Sequence, residues 1–362
     1  MPCGGRGPGY RPHHPDLSLA EQRNRKMNRA MILDGLKDEA GQAALFDTAD
    51  AVRHDQVGDD VQLRGVVHFS NYCRCNDIYC GLLRDNHQCK RFRMTEDEIV
   101  DTALAIADAG LHTVVLQSGE DSYFTRARMC SIIERILSEA DVAITLSLGM
   151  RSREDLTAFR DAGAERYLMK HETMNPELYT RMRSGLRLDD RLKLIALLRE
   201  VGFQVGVGNI VGLPGQTLED LCEDILFFQD FQPDMINIGP FIPHAQTPLK
   251  DDPAGDIELM LRVFALTRMV TGNTHMAAAN TVATLDPDDG QYRALTQGGA
   301  NVIMPNCNPF LKSKNDKIEY EFQITTHKRY VSVEEAKSVV ARAGRNIGGS
   351  KGHSLKLEGA LH

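Results

Sequence analysis

Apolar runs alternate with amphipathic stretches along most of the chain, and this alternation is the clearest signal in the sequence. Eight short apolar runs predict β-strands at 65–70, 112–118, 142–148, 166–170, 204–212, 234–240, 275–281 and 301–305. Apolar residues at helical spacing lie between them, as at 96–110 and 190–202. Strands and helices that alternate in this way predict an α/β protein, and eight such units predict a (βα)8 TIM-type barrel. An open doubly wound sheet is the alternative that the pattern leaves open.

The two ends of the chain differ from this middle part. Residues 1–16 are rich in Gly, Pro and basic residues without an apolar segment, which predicts a disordered tail rather than a secretory signal. Residues 17–60 carry a helical pattern and are expected to form an N-terminal helical cap. The barrel is assigned to residues 61–345, and the last stretch, 346–362, is expected to be a flexible tail.

Composition and charge narrow the class of protein. The chain has 362 residues, of which 42% are hydrophobic and 25% charged, as in globular proteins with a sizeable core. Its net charge is −8 and no stretch is densely basic, so we expect no nucleic-acid partner. No apolar run approaches the roughly 18 residues of a membrane span, so we expect no membrane association. Eight cysteines without a signal peptide indicate reduced thiols or metal ligands and a cytoplasmic protein.

Three cysteines and an aspartate follow the first predicted strand, in the stretch YCRCNDIYC. They are Cys73, Cys75, Asp77 and Cys80. Thiolates are the ligands that iron–sulfur clusters prefer, and a short loop can gather them. Counted from Cys73, the spacing is the C-x3-C-x2-C spacing of radical S-adenosylmethionine (SAM) enzymes, except that Asp77 replaces the middle cysteine. Incidental thiols are the alternative if the loop is considered alone.

Long ordered stretches elsewhere favour the same chemistry. From about residue 64 to about residue 310, the sequence resembles the HydE family of radical SAM hydrogenase maturases, in the biotin synthase and methylornithine synthase group. The shared stretches include FSNYCR, RFRMTEDEIV, VLQSGED, RYLMKHETMNPELY, VGLPGQT, IGPFIPHAQTPL and GANVIMPN. The resemblance implies an enzyme in which a 4Fe-4S cluster, reduced by a one-electron donor, cleaves SAM to methionine and a 5'-deoxyadenosyl radical. The implied substrate is a small sulfur- or iron-containing precursor of the FeFe hydrogenase active site.

By this resemblance Cys73, Asp77 and Cys80 are the expected metal ligands, and the departure at Asp77 admits three interpretations. In the first, Asp77 gives an oxygen ligand, which would make the cluster more labile because a carboxylate is a harder donor than a thiolate. In the second, Cys75 supplies the missing thiolate. In the third, the cluster is lost and the barrel only binds SAM or another small molecule.

Six further residues match family positions that contact SAM. They are Ser118, Gly119, Glu120, Lys170, Glu172 and Arg191. The first three match a stretch whose backbone receives the SAM amino group. The resemblance gives Glu172 a role at the ribose and Arg191 a role at the carboxylate. Lys170 stands where the family has arginine, so a compact ammonium group replaces a planar guanidinium that can form two parallel hydrogen bonds.

The resemblance also implies four substrate-binding positions inside the barrel: Thr145, Arg166, Ala279 and Asn280. Thr145 and Arg166 are expected to hold a carboxylate. Ala279 and Asn280 stand where the family has paired threonines, which is a second departure. Only Cys307 lies late in the chain, so we expect the accessory C-terminal cluster of some family members to be absent.

The resemblance implies three kinds of partner: a small-molecule substrate, a one-electron donor such as flavodoxin or ferredoxin, and other hydrogenase maturases. The departures from the family pattern favour two alternatives to the family's own reaction. One is an enzyme of the same group that acts on another amino-acid-type substrate. The other is a barrel that lacks a competent cluster.

Overall fold

The computed structural model describes residues 26–308, 322–325 and 329–358. The strands in these residues are β1 (Asp60–Leu63), β2 (Gly65–Ser70), β3 (Thr113–Ser118), β4 (Ala143–Ser147), β5 (Arg166–Leu168), β6 (Gln204–Val207), β7 (Ile210–Val211), β8 (Met235–Pro240), β9 (His275–Ala278), β10 (Val302–Ile303) and β11 (Asn346–Ile347). The helices are α1 (Arg29–Lys37), α2 (Gln42–Val57), α3 (Glu96–Asp108), α4 (Arg126–Glu139), α5 (Arg153–Asp161), α6 (Pro176–Met182), α7 (Leu188–Glu200), α8 (Leu218–Phe231), α9 (Ile257–Thr271), α10 (Asn280–Leu285), α11 (Gly290–Thr296), α12 (Val333–Arg342) and α13 (Leu355–Glu358).

The strands form one parallel sheet that closes on itself. Its order is β11-β1-β10-β9-β8-β6-β5-β4-β3-β2, and the short β7 pairs with β8. Residues 60–70 close the ring, because their first half pairs with β10 and their second half with β3. Beyond β10, the amide of Val66 donates to the carbonyl of Pro305 at 2.9 Å. The predicted eight-stranded barrel is therefore confirmed, and the open doubly wound sheet is excluded.

The helices follow the strands and cover the barrel. The side chains of β2 are buried along its whole length, since the barrel interior lies on one side and helices lie on the other. Several helices begin at reciprocal caps, as in α3, where Thr95 and Glu98 each bind the other's backbone. The N-terminal helices α1 and α2 pack against α8 and α9. Across the described residues, none of the helices combines the length and the apolar composition that crossing a bilayer requires.

The C-terminal residues do not form the flexible tail that we expected at 346–362. Strand β11 pairs with β1, and the following residues cross the amino end of the barrel. We call residues 350–356 the strap. Its backbone carbonyls face three side chains at the base of the barrel: Lys351 O accepts from Arg166 (2.5 Å), Gly352 O from Arg64 (3.1 Å) and His353 O from His275 (2.9 Å). The strap therefore seals this end. The tail predicted at 1–16, residues 17–25 of the predicted helical cap and residues 359–362 lie outside the described residues.

Candidate active site

A cleft of about 240 Å³ opens at the carboxyl end of the strands, and nine of the residues singled out from the sequence line it. They are Cys73, Asp77, Cys80, Ser118, Gly119, Glu120, Lys170, Glu172 and Arg191. Loops that follow β2, β3 and β5 supply seven of them, Ser118 is the last residue of β3, and helix α7 supplies Arg191. Because all strands are parallel, their carboxyl ends meet at one end of the barrel. Residues far apart in the sequence therefore meet at one site.

The cysteine loop, residues 71–92, is held in shape by Arg91. The Arg91 guanidinium donates to the carbonyl oxygens of Asn71 (2.6 Å), Leu82 (3.0 Å) and Leu83 (2.7 Å). The side chain of Asn71 in turn accepts from the amide of Phe92 at 2.7 Å. One guanidinium thus ties both ends of the loop to its middle, which fixes how the loop presents its cysteines.

The thiols of Cys73 and Cys75 contact each other. A hydrogen bond between them lowers the pKa of Cys73 and raises that of Cys75, as expected when Cys75 donates. Burial raises the pKa of Cys80, which lines the cleft. Cys75 is buried and does not line the cleft. Two thiols therefore reach the cleft, and a third lies against Cys73.

Asp77 is bound by a buried arginine that the sequence analysis did not single out. Arg183 Nε donates to Asp77 Oδ1 at 2.8 Å, and the arginine side chain is only 4% exposed. Burial raises the pKa of Asp77, and the charge of Arg183 opposes that shift. Arg183 also donates to the hydroxyl of Tyr179 at 3.3 Å and lies 3.8 Å from Glu120 Oε1. It therefore links the cysteine loop to the loop after β3.

Two glycines let the stretch after β3 approach its neighbours. A Cβ atom at Gly119 would stand 2.3 Å from the carbonyl oxygen of Tyr72. Gly149 has a φ of +71°, and a Cβ there would lie 2.0 Å from Cγ of Glu120. The Glu120 carboxylate accepts from Arg74 Nε at 3.2 Å. A larger residue at either glycine would displace Glu120 or the cysteine loop from the cleft.

Glu172 adopts a conformation that non-glycine residues seldom take. Its φ is +68°, and its backbone is held on both sides by Gly208 O and the amide of Ile210. Its Oε2 lies 3.3 Å from Lys170 Nζ, yet this buried oxygen accepts no hydrogen bond from the residues that the structure describes. A buried oxygen in this state would be satisfied by the hydroxyl of a ligand. Backbone strain at a cleft residue also fits a functional role.

Arg191 brings a second buried guanidinium to the cleft. Its side chain is 4% exposed, and Nε donates to the hydroxyl of Tyr179 at 3.1 Å. Another of its nitrogens contacts the sulfur of Met169. Its NH2 group lies 4.0 Å from Glu120 Oε1, which is too far for a hydrogen bond. The charge of Arg191 is therefore placed to attract an anionic group of a ligand.

The four predicted substrate residues do not line this cleft. Thr145 lines a separate small cavity between the cleft and the base, where its hydroxyl is buried without a hydrogen-bond partner. Arg166 lies at the base itself and donates to Lys351 O and to Thr113 Oγ1. Its guanidinium donates to the strap, which places Arg166 at the base of the barrel interior rather than at the cleft, and its binding of a substrate carboxylate stays a prediction.

Ala279 and Asn280 stand at the start of α10, beside the cleft rather than in it. Asn280 Nδ2 donates to the carbonyl of Met304 at 3.1 Å, while its Oδ1 is buried and unpartnered. The next residue, Thr281, does line the cleft, where its hydroxyl and the Lys170 ammonium both stand over Gly239. The polar group that this segment gives to the cleft is therefore the hydroxyl of Thr281.

Several lining residues were missed because no local motif marks them. Arg183 ends helix α6, and its partner Asp77 lies 106 positions away in the sequence. Phe322, Ile324 and Thr325 also line the cleft, and Ile324 O accepts from the amide of Gly81 at 3.0 Å. Such long-range contacts leave no periodic or spacing signal in the sequence.

Comparison with known proteins agrees with this geometry. Residues 67–228 match the model of the radical SAM superfamily. The chain is 42% identical over 293 residues to the FeFe hydrogenase maturase subunit HydE of Thermotoga maritima, which covers 80% of this chain and 83% of that protein. It is 26% identical to the 3-methylornithine synthase of Methanosarcina acetivorans over 76% of this chain and 77% of that protein. A crystal structure of methylornithine synthase superposes with a TM-score of 0.80 at 24% identity, over 94% and 98% of the two chains.

Proposed function

The chain belongs to the radical SAM superfamily, in the family of the FeFe hydrogenase maturase HydE, and from this premise we propose that it acts in assembly of the hydrogenase active-site cluster. It is an enzyme whose cofactors are a 4Fe-4S cluster and SAM. When bound, the reduced cluster supplies the electron that cleaves SAM to methionine and a 5'-deoxyadenosyl radical. The proposed substrate is a small sulfur- or iron-containing precursor of the hydrogenase cluster.

One observation carries this proposal. Nine residues expected to bind the cluster and SAM come from four separate segments of the chain and line a single cleft. The cleft lies at the carboxyl end of the barrel, where enzymes of this fold carry their active sites. This arrangement is a specific signal, because it requires four segments to fold to the same place. They are the loops after β2, β3 and β5 and helix α7.

The residues of the cleft fit SAM. The unpartnered Oε2 of Glu172 would accept hydrogen bonds from the ribose hydroxyls. The Arg191 guanidinium, which has no carboxylate within hydrogen-bond distance among the described residues, would bind the SAM carboxylate. The backbone of Ser118 and Gly119 and the carboxylate of Glu120 would receive the amino group. The Lys170 ammonium lies 3.3 Å from the same Glu172 oxygen, at the edge of this proposed ribose site.

The side chains that the cysteine loop brings to the cleft fit a 4Fe-4S cluster, except that one of the three is a carboxylate instead of a thiolate. We propose the Cys73 and Cys80 thiolates as two ligands and the Asp77 carboxylate as the third. Oδ1 of Asp77 is engaged by Arg183, and within the described residues Oδ2 accepts no hydrogen bond, so one oxygen can bind iron while the other stays paired. Three groups that hold a 4Fe-4S cluster would bind different iron atoms, so Cys73, Asp77 and Cys80 need not meet at one point.

Large apolar side chains also line the cleft and would help to exclude water from a reactive intermediate. They include Leu82, Leu168, Ile210, Phe241 and Phe322. The reaction requires a small-molecule substrate and an electron donor, for which we propose a flavodoxin or ferredoxin. We further propose other hydrogenase maturases as partners and the reducing cytoplasm as the location.

A second candidate function is the same radical chemistry on another amino-acid-type substrate. The cleft offers the Thr281 hydroxyl and the Lys170 ammonium side by side over Gly239, a pair suited to a carboxylate. Adding the protein to a reconstituted hydrogenase maturation reaction that lacks only its HydE component separates the two candidates. Restored hydrogenase activity favours maturation, and cleavage of SAM without restored activity favours the other substrate.

The cluster and SAM assignments are tested by anaerobic reconstitution with iron and sulfide. We expect about four irons per chain and reductive cleavage of SAM in the wild type. Cys73→Ala should lose the iron, because it removes a thiolate. Glu172→Gln should keep the iron but bind SAM more weakly by about 1.5–3 kcal/mol, the range for a charge-assisted hydrogen bond.

The matched control is Cys130→Ala, which removes a thiol from the outer helix α4, where it contacts Ala158 O. This variant should equal the wild type in iron content and in SAM cleavage. Iron content in Cys73→Ala equal to that of the control would remove Cys73 as a ligand.

A further inference from the structure

Two exposed tyrosines and two arginines form a platform on the outer surface beside the cysteine loop. Tyr72 and Tyr123 are 36% and 43% exposed, which is unusual for large side chains in this fold. The Arg93 guanidinium lies over Tyr72 at 3.7 Å and near Tyr123 at 4.8 Å, and that of Arg128 lies 4.0 Å from Tyr123. We call these four residues the platform. Tyrosine and arginine are the residues that most often anchor protein–protein interfaces.

The arginines of this face lie above the acids that they pair with. Arg93 is 34% exposed over Asp121 at 3%, and Arg74 is 62% exposed over Glu120 at 10%. An open groove next to the platform is lined by Arg74 together with Arg126 and Arg151. The outermost layer is therefore guanidinium, although the carboxylates below it compensate part of the charge.

The cysteine loop adds charge that these carboxylates do not compensate. Between positions 72 and 93 there are five basic residues and two acidic ones, in a chain whose net charge is −8. Three of the basic residues, Arg74, Arg84 and Arg93, have carboxylate partners, which leaves Lys90 and Arg91 without one among the described residues. One of the acids, Asp77, faces the cleft, and Arg91 binds carbonyl oxygens. Lys90 is exposed. Folding thus gathers a basic face from three segments, whereas no single stretch of the sequence is densely basic.

Part of this basic face is formed by the cysteine loop itself. Tyr72 and Arg74 are exposed, while Cys73 between them lines the cleft. Gly119, behind them, approaches the Tyr72 carbonyl so closely that no side chain fits between. An electron that enters through the platform therefore reaches Cys73 across a single layer of residues.

We propose that the platform and its basic surroundings are the docking site of a small acidic one-electron carrier protein. The inference rests on the proposed function, since only a cluster on the cysteine loop gives the carrier something to reduce. A basic face on an acidic protein steers an oppositely charged partner to one orientation, and it does so more strongly at low salt. The aromatic rings supply the contact area that electrostatics alone does not.

The test reverses the charge of one platform residue, Arg128, and of Lys90 in its basic surroundings, without touching the cleft. Lys90→Glu/Arg128→Glu should lower the rate of SAM cleavage driven by reduced flavodoxin by about tenfold at low ionic strength, and should abolish its salt dependence. Cleavage driven by dithionite, a small reductant that needs no docking site, should stay at the wild-type rate. Lys37→Glu, on helix α1 and away from the loops after β2 and β3, is the matched control and should equal the wild type in both assays.

The outcomes separate this inference from the function on which it rests. No cleavage by wild-type protein with dithionite would overturn the proposed function. Normal cleavage with dithionite and an unchanged flavodoxin rate in the double variant would overturn the docking site alone. A short RNA that binds the wild type but not the double variant, and that blocks no flavodoxin-driven cleavage, would assign the face to nucleic acid instead.

Discussion

Asp77 occupies the proposed middle ligand position of the cysteine loop, and it is also one partner of a buried ion pair. Arg183 fixes one carboxylate oxygen at 2.8 Å and is itself only 4% exposed. Removing one partner of a buried pair usually costs about 3–5 kcal/mol, although Glu120 at 3.8 Å would compensate part of the Arg183 charge. Asp77 therefore stabilises the loop whether or not it binds iron, and stability and iron content must be measured separately.

The variants at this position should behave differently in those two measurements. Asp77→Ala should lower both the thermal stability of the cluster-free protein and the iron content after reconstitution. Asp77→Cys should also destabilise the cluster-free protein, but should hold a cluster that chelators remove more slowly than from the wild type, since thiolate is the softer donor. Cys75→Ala should leave the iron content unchanged.

The alternative interpretations give different patterns. Asp77→Ala with wild-type iron content and cleavage rate would rule out Asp77 as a ligand. If Cys75→Ala also loses its iron, Cys75 is the third ligand. If the wild type binds almost no iron and Asp77→Cys binds a full cluster, the natural chain has lost the cofactor.

At the scale of elements, the sequence predicted what depends on local pattern and missed what depends on distant contacts. All eight barrel strands follow apolar runs, so their positions could be predicted. The strap could not, because Gly and Ser in a terminal stretch indicate a loose tail, whereas buried Arg64 and Arg166 bind its carbonyls from residues far along the chain. The depth of Arg166 could not be predicted for a related reason: a resemblance in sequence implies a position inside the barrel, but does not show how far that position lies from the cleft.

Removal of the strap should destabilise the barrel. A chain that ends at Gly349 leaves the Arg64 and Arg166 guanidinium groups at the base without their carbonyl acceptors. With about 1.5–3 kcal/mol for each hydrogen bond from a charged donor, we expect a loss of at least about 3 kcal/mol, measured by urea unfolding of the cluster-free protein.

Two further variants give this experiment its controls. Lys337→Ala, at an exposed position of helix α12, should leave the unfolding midpoint unchanged. Adding Arg166→Met to the strap-deleted chain should recover part of the stability, because it removes a buried charge without a partner. A strap-deleted chain that unfolds at the same urea concentration as the full chain would contradict a sealing role.

At the scale of the whole molecule, the two ends of the barrel differ in character. The carboxyl end is open and carries two thiols, three carboxylates and three cationic side chains around one cleft. The amino end is closed and holds Arg64, Arg166 and His275 under the strap. The end with the chemistry could be predicted, since polar residues after strands mark it in any parallel barrel. The closed end gives the molecule a pH dependence that the active site does not explain.

That dependence comes from His275. Burial lowers its pKa from 6.5 to about 3, and its ring is held between Asn301 and the carbonyl of His353. At a pH between 3 and 6.5, the unfolded chain therefore binds a proton at His275 that the folded protein does not bind. The free energy of unfolding is therefore unaffected by His275 above about pH 6.5. As the pH falls from 6.5 toward 3, it decreases by up to about 1.4 kcal/mol per pH unit.

We therefore expect the free energy of unfolding of the cluster-free protein to fall more steeply between pH 6.5 and 4.5 in the wild type than in His275→Gln, which has no ionisable group at that position. Urea unfolding at several pH values measures the two slopes. Carboxylates elsewhere contribute equally to both proteins, so the difference isolates the histidine. His87→Gln, at an exposed side chain, controls for loss of a histidine as such and should keep the wild-type slope. If the slope for His275→Gln matches that of the wild type, His275 is not buried in its neutral form, and the base of the barrel is open to water.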